Sequence, residues 1–310
     1  MRREINCGGI TWIDLETPTR DEVNDLGKTY SFHHLNLEDC LSKIQITKVE
    51  KYGDYLFMIL RFPVLCKEGS CSPSQVSFFL GKNYVITVHD AKLGPLNDVY
   101  LACQSQMKEG VKFATDGAGS LFYWIFSTII DSLFPLMESL MDRLEDLEDI
   151  VFDAKTEVLI EVTALRRNIS DVRRIVSPIR RVALDIAAGV KIISGDDLSI
   201  YFNDLHDRIE KIWELSETAR EIVEIYKDTD FTLNQQRMNK ALVYLTVIFT
   251  ATIPATIMGT FYGMNIYLPG GLAIEPWTFL GPYTTFIVIL SISLVPAAIM
   301  LYYFKRMGWL

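Results

Sequence analysis

Apolar and polar positions alternate over residues 10–15, and the apolar-rich runs 49–52, 55–62, 76–80 and 84–89 also read as β-strands, with Gly53-Asp54 and Gly81-Lys82-Asn83 as hairpin turns. Thr17-Pro18 opens a short helix, since proline is tolerated in a first helical turn. From about Ser120 the period becomes helical. Leu133, Met137, Leu140, Leu144, Leu147 and Val151 follow spacings of 4, 3, 4, 3 and 4, and Leu165, Ile169, Val172, Val176, Ile179 and Ala183 repeat them. Each set is a heptad stripe. A tight turn near residues 153–156 would make the pair an antiparallel helical hairpin. Ser194-Gly195-Asp196 reads as a break followed by a helix N-cap. From Asp197 there is no Pro or Gly before Pro254, so one helix reaching Tyr262 would hold 66 residues, about 99 Å.

The end of the chain has a different pattern. Residues 241–261 and 283–304 are runs of 21 and 22 positions without a charge. At about 1.5 Å per residue each covers the ~30 Å hydrocarbon core of a bilayer. Buried core helices, the alternative, rarely run so long uncharged. Lys227, Arg237 and Lys240 precede the first run, Lys305 and Arg306 follow the second, and the connector carries only Glu275. The positive-inside rule then predicts two spans with both termini cytoplasmic.

Charge sharpens this division. The 310 residues carry a formal net charge of −9, and only Glu275, Lys305 and Arg306 are charged beyond Lys240. A broad basic face for nucleic acid is excluded, and a wholly soluble enzyme does not fit the apolar tail. The N-terminus has basic residues without an apolar run behind them, so no secretory signal is expected. Five scattered cysteines suit a reducing compartment, where disulfides are not expected. Residues 138–161 hold nine acids against two bases, and 162–183 hold six arginines against Asp171. Glu145, Asp146, Glu148 and Asp149 invite a metal-site reading, but an acidic helix face lying beside, or near, a basic one explains them better. Cys66 with Cys71, and His33-His34, lack the second pair that structural zinc needs. There is no phosphate loop, no nucleophile elbow, no nucleophile–base arrangement and no catalytic metal triad, so an enzyme is not expected.

The first span carries its own stripe: Leu242, Thr246, Phe249, Ile253, Thr256, Thr260 and Gly263, with spacing near 3.5. Such a stripe keeps one face toward a symmetry axis. Two spans cannot enclose an aqueous path alone, so a pore requires oligomerisation. Threonines in a span also serve as ordinary packing groups.

The outer end of this stripe is distinctive. Tyr262-Gly263-Met264-Asn265, preceded by Arg237-Met238-Asn239, Leu245-Thr246, Ile248-Phe249 and Pro254, resembles the CorA family of divalent-cation channels, whose signature is Gly-Met-Asn at the outer end of the first of two spans. Tyr201-Phe202-Asn203-Asp204 is similar to the family's Tyr-Phe-x-Asp, and the ending Tyr303-Phe304-Lys305-Arg306-Met307-Gly308-Trp309-Leu310 to its basic, Trp-containing terminus. The motifs cover residues 190–310, and the architecture nearly all the chain.

The resemblance implies an α+β membrane protein assembled as a funnel-shaped homopentamer. Its parts would be a cytosolic α/β domain (1–118), a helical hairpin (119–194), a stalk helix (195–240), a pore-lining span (241–262), an outer loop (263–282), a second span (283–304) and a basic cytosolic tail (305–310). The implied cargo is Mg²⁺, with Co²⁺ and Ni²⁺ beside it, and the implied home is the cell membrane. Gly263, Met264 and Asn265 would form the selectivity filter, Asn239 a polar ring at the cytoplasmic end, and Leu242 and Ile253 apolar constrictions. Thr246, Phe249, Thr256 and Thr260 would line the path. The plainer role for Asn265 is a helix C-cap.

The family is closed by cytosolic Mg²⁺ held between subunits by carboxylates. Asp204 falls on the family's helical position, with Asp207 and Asp228 as lesser candidates, and Asp90 and Asp98 flank the place where a neighbour's acid should stand. Three positions depart from the pattern: Asp90-Ala91-Lys92 at that place, Val243 where Lys is common, and an outer loop whose only acid is Glu275. Two other readings stay open, a Zn²⁺ transporter of the ZntB type and a membrane-anchored coiled-coil sensor or scaffold.

Overall fold

A computed structural model describes residues 2–7, 9–42, 45–65, 70–108, 117–152, 159–264 and 278–308. The chain divides into two compact units, Met1–Asp228 and Thr229–Leu310.

The first unit is built on one six-stranded sheet. Its strands are β1 (Arg2–Cys7), β2 (Ile10–Glu16), β3 (Lys48–Lys51), β4 (Tyr55–Leu65), β5 (Cys71–Gly81) and β6 (Tyr84–His89), in the order β1-β2-β6-β5-β4-β3. Only β2 and β6 pair in parallel. A parallel pair needs a long crossover, and the chain between them holds α1 (Arg20–Tyr30), α2 (His34–Leu41) and the β3–β5 meander. Side chains alternate across the sheet. On β4, Leu56, Met58, Leu60 and Phe62 enter one core, while Tyr55, Phe57 and Ile59 enter the other. Helices cover both faces, which is why the central strands read as near-continuous apolar runs.

The face beneath α1 and α2 packs Leu26 and Phe32 on Phe57, Phe79 and Ile86. The opposite face meets α3 (Gly94–Lys108), α4 (Ala118–Asp131), α5 (Leu133–Phe152), α6 (Leu159–Ser194) and the first turns of α7 (Ser199–Gly263). Phe78, Phe122 and Phe126 are completely buried there, each worth roughly 1.5–3 kcal/mol of apolar burial. Two details differ from the sequence expectation. Pro18 stands before the first helix rather than inside it, because Thr19 caps α1 in a capping box with Glu22. The α4 segment lies against the sheet instead of extending the hairpin, because it is apolar on nearly every side and the sheet supplies its partner.

The start of α4 has no side-chain cap of its own. Asp196, in the α6–α7 connection, accepts the Gly119 N–H at 3.1 Å. A Cβ at Gly117 or Gly119 would lie 2.3 or 2.7 Å from Asp196 Oδ2, so this approach requires glycine. Asp197 then caps α7 by accepting from the backbone and hydroxyl of Ser199.

Helices α5 and α6 both turn their heptad stripes into the core, from Leu133 to Leu147 and from Leu165 to Ala183. The turn expected near 153–156 lies outside the described residues. Among the described residues, three of the six arginines pair with α7 and none with acidic α5: Arg166 with Glu224 at 3.3 Å, Arg173 with Glu217, and Arg180 with Glu210 at 2.5 Å. Both series step by seven residues, which places all rungs on one face of each helix. Trp213 lies between the Arg173 and Arg180 guanidinium groups, 5.3 and 5.5 Å from them.

The second unit consists of residues 229–263 of α7, α8 (Thr284–Arg306) and the chain between them. By length and composition three helical stretches could cross a membrane: Ala118–Glu148, Ser199–Gly263 and Thr284–Arg306. In the first, half of the apolar window is buried inside the protein, against 0% and 17% for the others. Its apolar surface is already spent on the sheet, whereas the last two have no such cover. The two runs expected from the sequence to span the membrane lie in those two helices.

Candidate functional site

The second half of α7 exposes the stripe that the sequence singles out. Leu242, Phe249 and Ile253 are 54%, 56% and 50% exposed, and Asn239, Thr246, Thr256, Thr260 and Gly263 are exposed too. One to two positions further round the helix runs a second stripe, at Val243, Val247, Thr250, Pro254, Met258 and Tyr262, where exposure drops throughout. On α8, Thr284, Ser293, Ala297 and Phe304 are buried. Successive residues differ by about 100° around a helix, so the Leu242–Thr260 stripe stays open beside the less exposed one. Val243, where the family commonly has lysine, belongs to the less exposed stripe.

The threonines on the open stripe share a geometry. Thr246 donates its hydroxyl to the Leu242 carbonyl at 2.7 Å, Thr256 to that of Thr252 at 2.9 Å, and Thr260 to that of Thr256 at 2.8 Å. Each hydroxyl proton is thus consumed within the helix. What each oxygen still offers outward is acceptor capacity. At the end of α7, among the described residues, no side chain and no backbone from outside the helix lies within 4 Å of where a Gly263 Cβ would stand. The Met264 N–H closes the last turn on the Phe261 carbonyl at 3.2 Å. Asn265 and Glu275 lie outside the described residues.

The carboxylates proposed for regulation are dispersed within the first unit. Asp204 is exposed on α7 and pairs with Arg208 at 3.1 Å. Arg208 also binds Asp131 at 2.5 Å, Ser127 at 3.0 Å and the Tyr123 hydroxyl at 3.1 Å, so it ties α7 to α4. Sequence reading missed this arginine, since its partners stand some 80 positions away. Asp207 and Asp228 are exposed on α7, and Asp98 is exposed on α3. Asp90, just after β6, accepts from the Ser74 hydroxyl and pairs with Lys92 at 3.4 Å. Within one chain these acids do not assemble. Among the described residues no group of three or more His, Cys, Asp or Glu could hold a metal ion.

The remaining candidates have structural work. Tyr226 donates to Glu148 at 3.2 Å, and burial pushes the Tyr226 hydroxyl up to about 12, helped by that carboxylate. His33 caps α2 by accepting the Leu35 N–H at 3.3 Å, and its ring stacks on Tyr52. Cys71 is buried, with its N–H donating to Asn168 at 3.0 Å. Cys66 and the side chain of Asp149 lie outside the described residues.

Residues 8–306 match the family described as CorA-like Mg²⁺ transporter protein. The cobalt/magnesium transport protein CorA of Thermotoga maritima is 29% identical over 309 residues, which covers 97% of this chain and 83% of that protein. The complete structure of the CorA magnesium transporter from Methanocaldococcus jannaschii aligns with a TM-score of 0.81 at 24% identity, over 97% of this chain and 92% of that one. The ZntB cytoplasmic domain from Vibrio parahaemolyticus aligns with a TM-score of 0.61 at 12% identity, over 76% and 90%. At these identities the two structures speak for the fold alone.

Proposed function

The chain belongs to the CorA-like Mg²⁺ transporter family, and from that premise we propose that it is a passive channel carrying Mg²⁺ into the cytosol, with Co²⁺ and Ni²⁺ as further cargo. The family is one of membrane-embedded divalent-cation transporters rather than enzymes. In this reading the chain crosses the membrane twice with both termini cytoplasmic, and five copies surround a path lined by the open stripe of α7.

The observation that carries the reading is the back-bonded threonine series. Mg²⁺ gives up its water reluctantly, so a conducting wall must hold the hydrated ion, whose waters point hydrogens outward. Such an ion needs acceptors without competing donors. Thr246, Thr256 and Thr260 offer that, because their protons already serve the helix. Neutral oxygens also bind weakly enough to release the ion. Gly263 carbonyls and Asn265 side-chain oxygens would extend the series at the outer mouth, with Met264 between them and five copies of Glu275 concentrating cations above. Leu242 and Ile253 would close the path by dewetting, and Asn239 would form the inner polar ring. Two charges falling through about 100 mV gain about 4.6 kcal/mol, enough for uptake without a pump.

Cytosolic Mg²⁺ would hold the closed state by binding Asp204, or Asp207 one turn along the helix, or Asp228 about 36 Å further along it, together with Asp90 or Asp98 of a neighbouring copy. An ion that prefers the closed state shifts the population toward it. A Zn²⁺ transporter of the ZntB type is the second reading, favoured by the likeness of the cytoplasmic fold.

Purified protein in liposomes with an internal dye separates the two. Mg²⁺ entry accelerated by an inside-negative potential is expected. Zn²⁺ entry without Mg²⁺ entry would transfer the chain to the second reading, and no flux from a well-folded oligomer would return it to the scaffold class.

A further inference from the structure

Beyond the end of α2, the sheet face that carries Phe57 and Ile59 is left uncovered, and a cleft of about 490 Å³ opens there. That volume lies within the range of small-molecule sites, roughly 300–1,000 Å³. Arg61 on β4 and Gln75 on β5 are direct cross-strand partners at its centre. Leu41, Pro73 and Val88 give it apolar walls, and His89, Asp90 and Lys92 also line it, with the Lys92 ammonium already paired to the Asp90 carboxylate at 3.4 Å.

Two groups in this cleft lack partners. Arg61 is half-buried, and among the described residues it has neither an ion pair nor a hydrogen bond. Arg3, Arg173 and Arg208, which are comparably covered, each hold a carboxylate. Gln75 Oε1 is enclosed and receives no donor, while its amide nitrogen makes only long contacts of 3.4 Å to the Asp39 and Ser42 carbonyls. A guanidinium presents a fork of donors that matches carboxylate and phosphate alike, and an enclosed amide oxygen without a donor is destabilising. Both deficits face one space, and a single molecule can meet both.

We propose that this cleft binds a small organic anion: its carboxylate or phosphate on Arg61, an N–H or O–H donated to Gln75, and its body against Pro73 and Val88. The site belongs to the first unit and is independent of the conduction stripe.

The test is calorimetric titration of the full-length protein in detergent with AMP and with citrate, and with inorganic phosphate as an anion lacking a body. Saturable binding of AMP or citrate below about 1 mM is expected, the preferred probe naming the head group. Arg61→Met should weaken it about tenfold or more, the loss of one charge-assisted contact. Gln75→Glu should abolish it by giving Arg61 a carboxylate across the strand pair, with the thermal midpoint at or above that of the parent. The proposal is overturned by absence of saturable heat from both organic anions, by inorganic phosphate binding as tightly as they do, or by unchanged affinity in both variants.

Discussion

His89 Nε2 lies 3.1 Å from Asp14 Oδ1, with both side chains sealed inside the first unit. Asp14 also accepts from Thr87 and from Arg3, each at 2.5 Å. Burial works to raise the Asp14 carboxyl and to lower the His89 imidazole. Their mutual attraction wins, helped by the Thr87 and Arg3 donors on Asp14 and by the Asp90 carbonyl beside His89 Nδ1, so Asp14 sits below its ordinary value and His89 above its own.

A raised histidine stabilises the fold fully below its unfolded value of 6.5, and the gain is lost as pH climbs through the higher folded value. A depressed Asp14 contributes above its unfolded value of 3.8, and that contribution is lost as pH falls through the lower folded value. The thermal midpoint of the full-length protein should therefore decline as pH rises above about 6.5. His89→Gln should flatten the decline; an undiminished slope in that variant would assign the pH dependence to other groups.

Replacing Thr256 or Thr260 with valine removes an acceptor from the open stripe while keeping shape. Mg²⁺ flux should fall about fivefold or more, one hydrogen bond of roughly 1 kcal/mol. Serine at either position should retain flux, since its hydroxyl can back-bond equally. Equal loss in valine and serine variants would point to packing rather than acceptor chemistry.

Asn265→Ala should abolish Mg²⁺ flux without changing oligomer size on gel filtration. Undiminished flux would remove Asn265 from the filter.

Asp204→Ala should leave the channel harder to close with cytosolic Mg²⁺, read as a higher closing concentration in inside-out patches. An unchanged concentration would mean that its pair with Arg208, 3.1 Å away, is the whole of its role.

Asp196→Ala should destabilise the first unit by roughly 1 kcal/mol, the worth of a helix cap, measured by denaturant unfolding. Gly119→Ala should be worse, because its Cβ would collide with both Asp196 and the Ser194 hydroxyl. A neutral Asp196→Ala would show that water caps α4 equally well.

Long periodic segments are legible from the sequence because burial on one side repeats at a fixed interval. β2 to β6, the two heptad helices and the two spans are of this kind. β1 is not, since Arg-Arg-Glu-Ile-Asn-Cys is an edge strand with Ile5 as its buried apolar contribution to the core. α2 is only eight residues long, too short for a stripe. The threonine stripe is readable by spacing, but the less exposed stripe on the same helix is not, because a helix that is apolar all round does not announce which side is covered. The regulatory acids are reached by resemblance alone. Arg208 and the Arg61–Gln75 cleft depend on pairings across the fold that no local pattern encodes.

The arginine–glutamate rungs between α6 and α7 repeat every seven residues on both helices. Sliding one helix past the other by a heptad, about 10.5 Å, would still join Arg173 to Glu224 and Arg180 to Glu217. Charge therefore acts here as adhesive without an address. The address comes from what does not repeat. Trp213 fits between two guanidinium groups, and in the slipped alignment one of its neighbours would be Ala187 instead of an arginine. Phe202, stacked 6.3 Å from Phe122 and 5.5 Å from Tyr123, would leave both rings as well. Aromatic contacts that occur once, rather than charges that repeat, thus set the alignment the helices adopt.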